Sequence, residues 1–392
     1  MLDDSLPAPI RADIARLPAS GIHQVFMAGY GRPGLIPLWV GEGDQPTPDF
    51  IGRAATAALA AGKTFYNPKR GIPELRQALA TYLSGLHARP VGPERVSVTS
   101  SGMTGLVTVI QTLVAPGDKV VVVTPVWPNI MAAIEIASGV VEPVGLDPRP
   151  EGGFSLDLAK LEAAIDDRTR AIFCASPGNP TGWMATAEEQ AAILELCRRK
   201  RIWLIADEVY VRFVYGPGQQ TAPSYLDVAR PDDPLLVCNS FSKAWAMTGW
   251  RLGWITHPPA LGETFDKLTE FTTSGAPHFL QYGAVAALQQ GEPFVAALVE
   301  RCRQSGEIVY QALASLPRVR LARPEAAFYA FFKLEGMQDS LAEALRILEV
   351  ANVGLAPGSA FGPGGEGHLR LCFAASPARL AEAMERLRPA LA

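Results

Sequence analysis

One lysine and one arginine stand apart in this chain. Lys243 and Arg251 lie within SFSKAWAMTGWRLGW, Ser240 to Trp254, and no Asp or Glu occurs from Pro234 to Gly262. Neither cation has a carboxylate near it in sequence. A cation removed from water must find an anion or give up its proton. Lysine gives up its proton far more readily than arginine. A neutral Lys243 is a nucleophile for a carbonyl carbon and a candidate for Schiff-base formation. Arg251 offers a planar fork suited to a phosphate. A small molecule with both an aldehyde and a phosphate fits the pair, which points to pyridoxal phosphate (PLP). The competing reading is a snorkelling lysine beside a surface arginine, so the neighbours have to decide.

Other residues of the right types are scattered along the chain. Ser101, Gly102 and Met103 lie in SSGMTG, between a predicted strand and a predicted helix, where backbone N–H groups and the helix dipole would meet an anion. Ser240 and Ser242 add hydroxyls. Asp207 ends the apolar run IWLIA; it is either a helix cap or the partner of a buried cation. Against PLP it would pair with the protonated pyridine nitrogen and keep the ring an electron sink. Glu208 would point the other way in an extended chain. Tyr210 and Asn179 could hydrogen-bond a ring phenolic oxygen, and Asn179 opens an NPTG turn whatever else it does. Trp127 either stacks on a ring or packs in the core. Gly41 and Gly43 either form an ordinary turn or leave N–H groups open to a ligand. Tyr66, before a proline turn, packs or reaches a partner. Arg370 lies in the apolar stretch HLRLCFA with Glu366 as its nearest acid; it either pairs with an acid or grips a carboxylate.

Elements must bring these residues together. From Arg95 onward, β-rich runs alternate with helical ones: RVSVTS, KVVVVTPVWP, VEPVGL, RAIFCASPGNPTG, RIWLIADEVY, LLVCNSFSK and RLGWIT. Helices such as Ala187 to Arg201 separate several of them. This spacing predicts an α/β fold with a mostly parallel central sheet flanked by helices. Ligands of such sheets sit beyond the carboxyl ends of the strands, where Ser101, Gly102, Trp127, Asn179, Asp207 and Lys243 fall. After about residue 262 the pattern becomes long helices with isolated strands, a smaller α+β domain. We divide the chain into residues 1–45 (N-terminal arm and part of the small domain), 46–285 (large cofactor-binding domain) and 286–392 (small C-terminal domain). A long helix near residues 283 to 315 is predicted to join the two.

Composition narrows the function. The 392 residues are 48% hydrophobic and 19% charged, as in a soluble globular protein. A net charge of −4 without a basic block disfavours nucleic acid or an anionic membrane as the main partner. The five cysteines are odd in number and lack metal-ligand spacing, which predicts buried thiols in a reducing compartment and no metal. No apolar run approaches the ~20 residues of a membrane helix, and the acidic, proline-broken start MLDDSLPAPIRAD has no signal-peptide core. The cytoplasm is the expected compartment. A nicotinamide dehydrogenase is disfavoured, since no GxGxxG follows the early strands.

Taken together, SPGNPTG, IADEVY, SFSKAWAMTGWRLGW and the late PGSAFG…HLRLCFA resemble the class I/II aminotransferases of PLP fold type I, in that family's order and over nearly the whole chain. The resemblance implies that Lys243 bears the cofactor as a Schiff base. It implies Asp207 on the pyridine nitrogen, and Asn179 and Tyr210 on the phenolate oxygen. Ser101, Gly102, Met103, Ser240, Ser242 and Arg251 would ring the phosphate, with Trp127 stacked on the cofactor. Tyr66 would reach the phosphate of a neighbouring subunit, implying a homodimer with shared active sites. Arg370 would hold the substrate α-carboxylate, helped by Gly41, Asn179 and Trp127. Lys243, Asp207 and Tyr210 would be the catalytic group.

The activity implied is ping-pong transfer of an amino group between an L-amino acid and a 2-oxo acid, 2-oxoglutarate or pyruvate. Aspartate-handling subgroups often carry a lysine or other polar group where this chain has Met103. A thioether cannot pair with a side-chain carboxylate, which favours an apolar or small amino donor. The alternatives are an aspartate-type aminotransferase, or a C–S β-lyase or decarboxylase on the same fold. A PLP-fold regulator would need room for a DNA-binding domain.

Overall fold

The computed structural model describes residues 10–87, 89–150 and 152–392, so most of the proline-broken start lies outside the described residues. Seven strands form the main sheet: β1 (Val96–Thr99), β2 (Lys119–Thr124), β3 (Val140–Gly145), β4 (Thr169–Ala175), β5 (Trp203–Asp207), β6 (Leu235–Ser240) and β7 (Gly253–Thr256). Their spatial order is β1-β7-β6-β5-β4-β2-β3. Every pair is parallel except those of β7, which runs antiparallel to both β1 and β6. The central strands are buried on both faces; β2 is buried along its whole length. That is why KVVVVT reads as a continuous apolar run and not an alternating one. Helices cover the faces, among them Gly102–Leu113 and Ala187–Lys200. The latter opens on a full capping box, Thr186 with Glu189.

A second sheet has four strands: β8 (Val319–Arg320), β9 (Tyr329–Leu334), β10 (Ala356–Pro357) and β11 (His368–Cys372), in the order β8-β9-β11-β10 and antiparallel throughout. The early chain docks on this half. Ile36–Pro37 pairs in parallel with Val353–Gly354, and the Cys372 amide donates to the Leu38 carbonyl at 2.9 Å. This contact lays Trp39 and Gly41 alongside β11.

The stretches TSGAPHFLQYGAVAALQQ and EPFVAALVERCRQSGEIVYQALASL read as two long helices, and they are His278–Gln290 and Glu292–Ala314, parted at Gly291; the joining helix expected near residues 283 to 315 is the second of them and starts later, at Glu292. Glycine is a poor helix interior, and the proline two positions later has no N–H to continue the ladder but suits a first turn. A Cβ at Gly291 would come within 2.8 Å of the Trp245 ring. All five cysteines are buried and free. Among the described residues no helix is long and apolar enough to cross a membrane.

Candidate active site

The carboxyl ends of the parallel strands and the edge of the small sheet enclose a cavity of about 430 Å³. Gly41, Gly102, Met103, Trp127, Asn179, Asp207, Tyr210, Ser240, Ser242, Lys243, Arg251 and Arg370 all line it. Most of them arrive from a few strand ends. The residues after β1 give Gly102 and Met103, those after β2 give Trp127, those after β4 give Asn179, and β5 ends on Asp207. β6 ends on Ser240, with Ser242 and Lys243 just beyond. Antiparallel β7 starts where its neighbours end, which brings Arg251 to the same edge. Its first residue, Gly253, sits opposite both Thr99 and Ser240. A Cβ on Gly253 would approach the Gly102 nitrogen to 2.6 Å, so only glycine lets the loop after β1 close against Ser240.

Lys243 is partly open to the cavity, but its amine lies deep and donates to the Gly41 carbonyl at 2.5 Å. Burial pushes its pKa down to about 8, against upward pulls from Cys372 and Glu42 and with smaller downward pushes from Arg370 and Arg251. Asp207, at the opposite end, is pushed up to about 6 by burial, against the Val209 N–H and the Lys243 charge. The Val209 amide donates to Asp207 Oδ1 at 3.2 Å. Glu208 faces away as alternation requires and anchors Ser224 and the Tyr225 amide.

Arg251 departs from the sequence reading, which put both cations in a buried apolar setting. It is exposed at the rim, in a left-handed conformation with φ 53°, and donates to the Thr248 carbonyl at 2.5 Å. Two further residues do not reach the wall. Ser101 is buried and spends its hydroxyl capping the helix Gly102–Leu113, accepting from the Thr104 amide at 2.9 Å. Tyr66 is 88% exposed, with the Lys69 amine 5.3 Å from its ring centre.

Arg370 lies on β11 and is 2% exposed. It pairs with no acid among the described residues; Glu366 is engaged with Ser340 instead. One guanidinium nitrogen donates to Asn179 Oδ1 at 2.9 Å, another to the Trp39 carbonyl, and Nε has no partner. The plane rests on the Tyr329 and Phe361 rings at 4.7 and 4.8 Å. A buried guanidinium without a carboxylate is a costly arrangement, and an arriving carboxylate offsets it.

Sequence reasoning missed Tyr329, Ile22 and Val40, all on the cavity wall. Tyr329 sits in AAFYAFFKL, where four aromatics in a strand give no signal that one bears a functional hydroxyl. Its hydroxyl meets that of Tyr210 at 2.5 Å. A Cβ on Gly41 would lie 2.1 Å from the same oxygen, so glycine is required there.

These residues fit a phosphate-bearing pyridine aldehyde. An amine without an anion, an acid at the other end with one backbone partner, and helix-start amides beside two serines match its aldehyde, ring nitrogen and phosphate. Engaging the Asn179 oxygen with Arg370 leaves its NH2 group to donate to a ring oxygen.

Comparisons with known proteins agree with this chemistry. The family model for aminotransferase class I and II matches residues 33–387. A probable aspartate/prephenate aminotransferase of Aquifex aeolicus is 34% identical over 364 residues, covering 91% of each chain. An arginine–pyruvate transaminase of Pseudomonas aeruginosa is 34% identical over 90% of this chain and 89% of its own. Among solved structures, an aspartate aminotransferase of Thermotoga maritima superposes with a TM-score of 0.89 at 31% identity, covering 97% of this chain and 99% of that one.

Proposed function

This chain belongs to the class I and II aminotransferases, PLP-dependent enzymes that act on amino acids and 2-oxo acids, and from that premise we propose that Lys243 carries the cofactor and moves the proton of the reaction. The observation that carries the assignment is the buried Lys243 amine, which donates to the Gly41 carbonyl and forms an ion pair with no acid among the described residues, while burial lowers its pKa to about 8. At pH 7 about a tenth of such an amine is neutral, against about 0.03% at the ordinary value of 10.5.

PLP, when bound, supplies the aldehyde that takes up an amino group and the ring that draws electrons from the substrate α-carbon. Asp207 holds the pyridine nitrogen, the buried carboxylate gaining the cation that its burial calls for. Tyr210 and the Asn179 NH2 donate to the ring oxygen, and Trp127 covers a face. The amides of Gly102 and Met103, the Ser240 and Ser242 hydroxyls and the Arg251 fork hold the phosphate, with buried Ser101 fixing the helix start behind them. Arg370 takes the substrate α-carboxylate as a two-pronged pair, with the Gly41 N–H and Asn179 beside it. The Lys243 amine would be the base that carries the substrate α-proton.

The amino donor we assign is an L-amino acid with an apolar side chain, and the acceptor 2-oxoglutarate or pyruvate. The charged residues on the cavity wall are Glu42, Asp207, Lys243, Arg251 and Arg370, and each cation among them already has a role. Ile22, Val40, Met103, Trp127 and Ile130 are among the apolar residues of the wall. The names of the aspartate aminotransferase relatives favour the second reading, an aspartate donor. Assaying each L-amino acid with 2-oxoglutarate and with pyruvate separates them: apolar donors are expected to give the highest kcat/KM. Aspartate in first place would reverse the specificity, and pyruvate with ammonia in the absence of any acceptor would make the enzyme a lyase.

We also assign a homodimer, with Tyr66 serving the neighbouring site. Phe65, Tyr66 and Phe271, at 79%, 88% and 84% exposure, are unusual for a free surface. Sedimentation of the active enzyme is expected to give twice the chain mass; full activity in a monomeric preparation would end this assignment.

A further inference from the structure

Tyr329 joins the two halves of the molecule inside the cavity. It opens β9 of the small sheet, while Tyr210 follows β5 of the main sheet, and their hydroxyls meet at 2.5 Å. The Tyr329 ring lies under the Arg370 guanidinium at 4.7 Å and edge-on to the Tyr210 ring at 5.5 Å. Both phenols are buried, at 2% and 4% exposure. The groups that face the pair come from both sheets and their loops: Asp207, Lys243, Arg370 and Cys372.

Proton counting sets the direction of this hydrogen bond. Each phenol has one proton to donate. Among the described residues Tyr329 Oη has Tyr210 Oη as its hydrogen-bond partner. If Tyr210 donates to Tyr329, the Tyr329 proton has no acceptor among the described residues and Tyr210 has none left for the cofactor. If Tyr329 donates to Tyr210, both protons are used, the second on the cofactor ring oxygen. A buried hydroxyl left without an acceptor is unfavourable, so the second arrangement prevails once the ring oxygen is in place.

We propose that Tyr329 is a positioning residue, whose hydroxyl donates to Tyr210 and turns the Tyr210 proton onto the cofactor ring oxygen. The inference rests on the reading that Tyr210 contacts that oxygen. Hydrogen bonds in series strengthen one another, so Tyr329 draws charge from the ring oxygen through Tyr210. Charge left on that oxygen would raise the proton affinity of the neighbouring nitrogen that links cofactor to Lys243. Tyr329 also carries the Arg370 guanidinium on its ring. The residue that tunes the cofactor therefore supports the proposed carboxylate grip.

The test is spectroscopic and needs no substrate. The holoenzyme is titrated with base, and the pH midpoint between the violet and near-ultraviolet cofactor bands is read for wild type, Tyr210→Phe, Tyr329→Phe and the double variant. Phenylalanine keeps the ring stack under Arg370, and the presence of a cofactor band reports that each variant is folded and loaded. Tyr210→Phe is expected to raise the midpoint most. Tyr329→Phe is expected to raise it by about half a unit, a roughly threefold change in the equilibrium. In the Tyr210→Phe background Tyr329→Phe should add nothing. A purely packing role for Tyr329 would leave the midpoint in place. A midpoint that moves with Tyr210→Phe but not with Tyr329→Phe overturns the relay and spares the Tyr210 reading. One that moves with neither removes the Tyr210 contact itself. A downward shift in Tyr329→Phe reverses the donor direction and also overturns the proposal.

Discussion

Replacing Lys243 with alanine is expected to abolish the violet absorption of the purified enzyme and to lower transamination by at least about 10⁴-fold, the upper range for losing a positioned base. Two functions disappear together, covalent retention of the cofactor and carriage of the α-proton. The phosphate contacts and Asp207 remain in this variant, so PLP should still bind, now as the free aldehyde. The fold should survive: the amine donates to the Gly41 carbonyl and pairs with no acid, so its removal strands no buried charge. An added small amine should restore part of the rate, because the missing element is a base and not a shape. Lys243→Arg should not restore it, since a guanidinium stays protonated at every working pH.

The second large effect is on Arg370. Arg370→Lys keeps the charge but removes the fork. The loss expected is about 10²–10³ in kcat/KM, the worth of one charged hydrogen bond plus the partner it leaves buried. The loss should be similar for every amino acid and every 2-oxo acid, because all of them present the same α-carboxylate. The cofactor spectrum should be unchanged. A loss confined to acidic substrates would instead place the side-chain carboxylate on Arg370 and reopen the aspartate reading. Asn179 and the Trp39 carbonyl fix the guanidinium, and a lysine amine satisfies both less well than a planar group does.

Much of this architecture is legible in the chain because the central strands carry it openly. KVVVVT and IWLIA are apolar on both faces, and that pattern together with the intervening helices leaves few folds to consider. The strand ends then place polar residues on one edge without further information. What the chain conceals is contact between distant segments. Nothing in RLGWIT says that β7 runs antiparallel between β1 and β6, since a four-residue strand fits either direction. Gly291 and the proline two positions on mark the break between the helices His278–Gln290 and Glu292–Ala314, and that break is legible in the chain. Arg251 reads as buried because its sequence neighbours are apolar, yet burial depends on what closes the cavity from elsewhere. Tyr329 is the clearest example. Its role comes from two oxygens meeting across 119 residues of chain, and no local pattern encodes that.

The most direct test of the account is chemical. The resting enzyme is reduced with borohydride, digested, and its peptides mapped by mass. The cofactor should be found fixed to one peptide, the one carrying Lys243, in stoichiometric amount. Cofactor recovered on a different lysine, or released unattached from an enzyme that still transaminates, would contradict it.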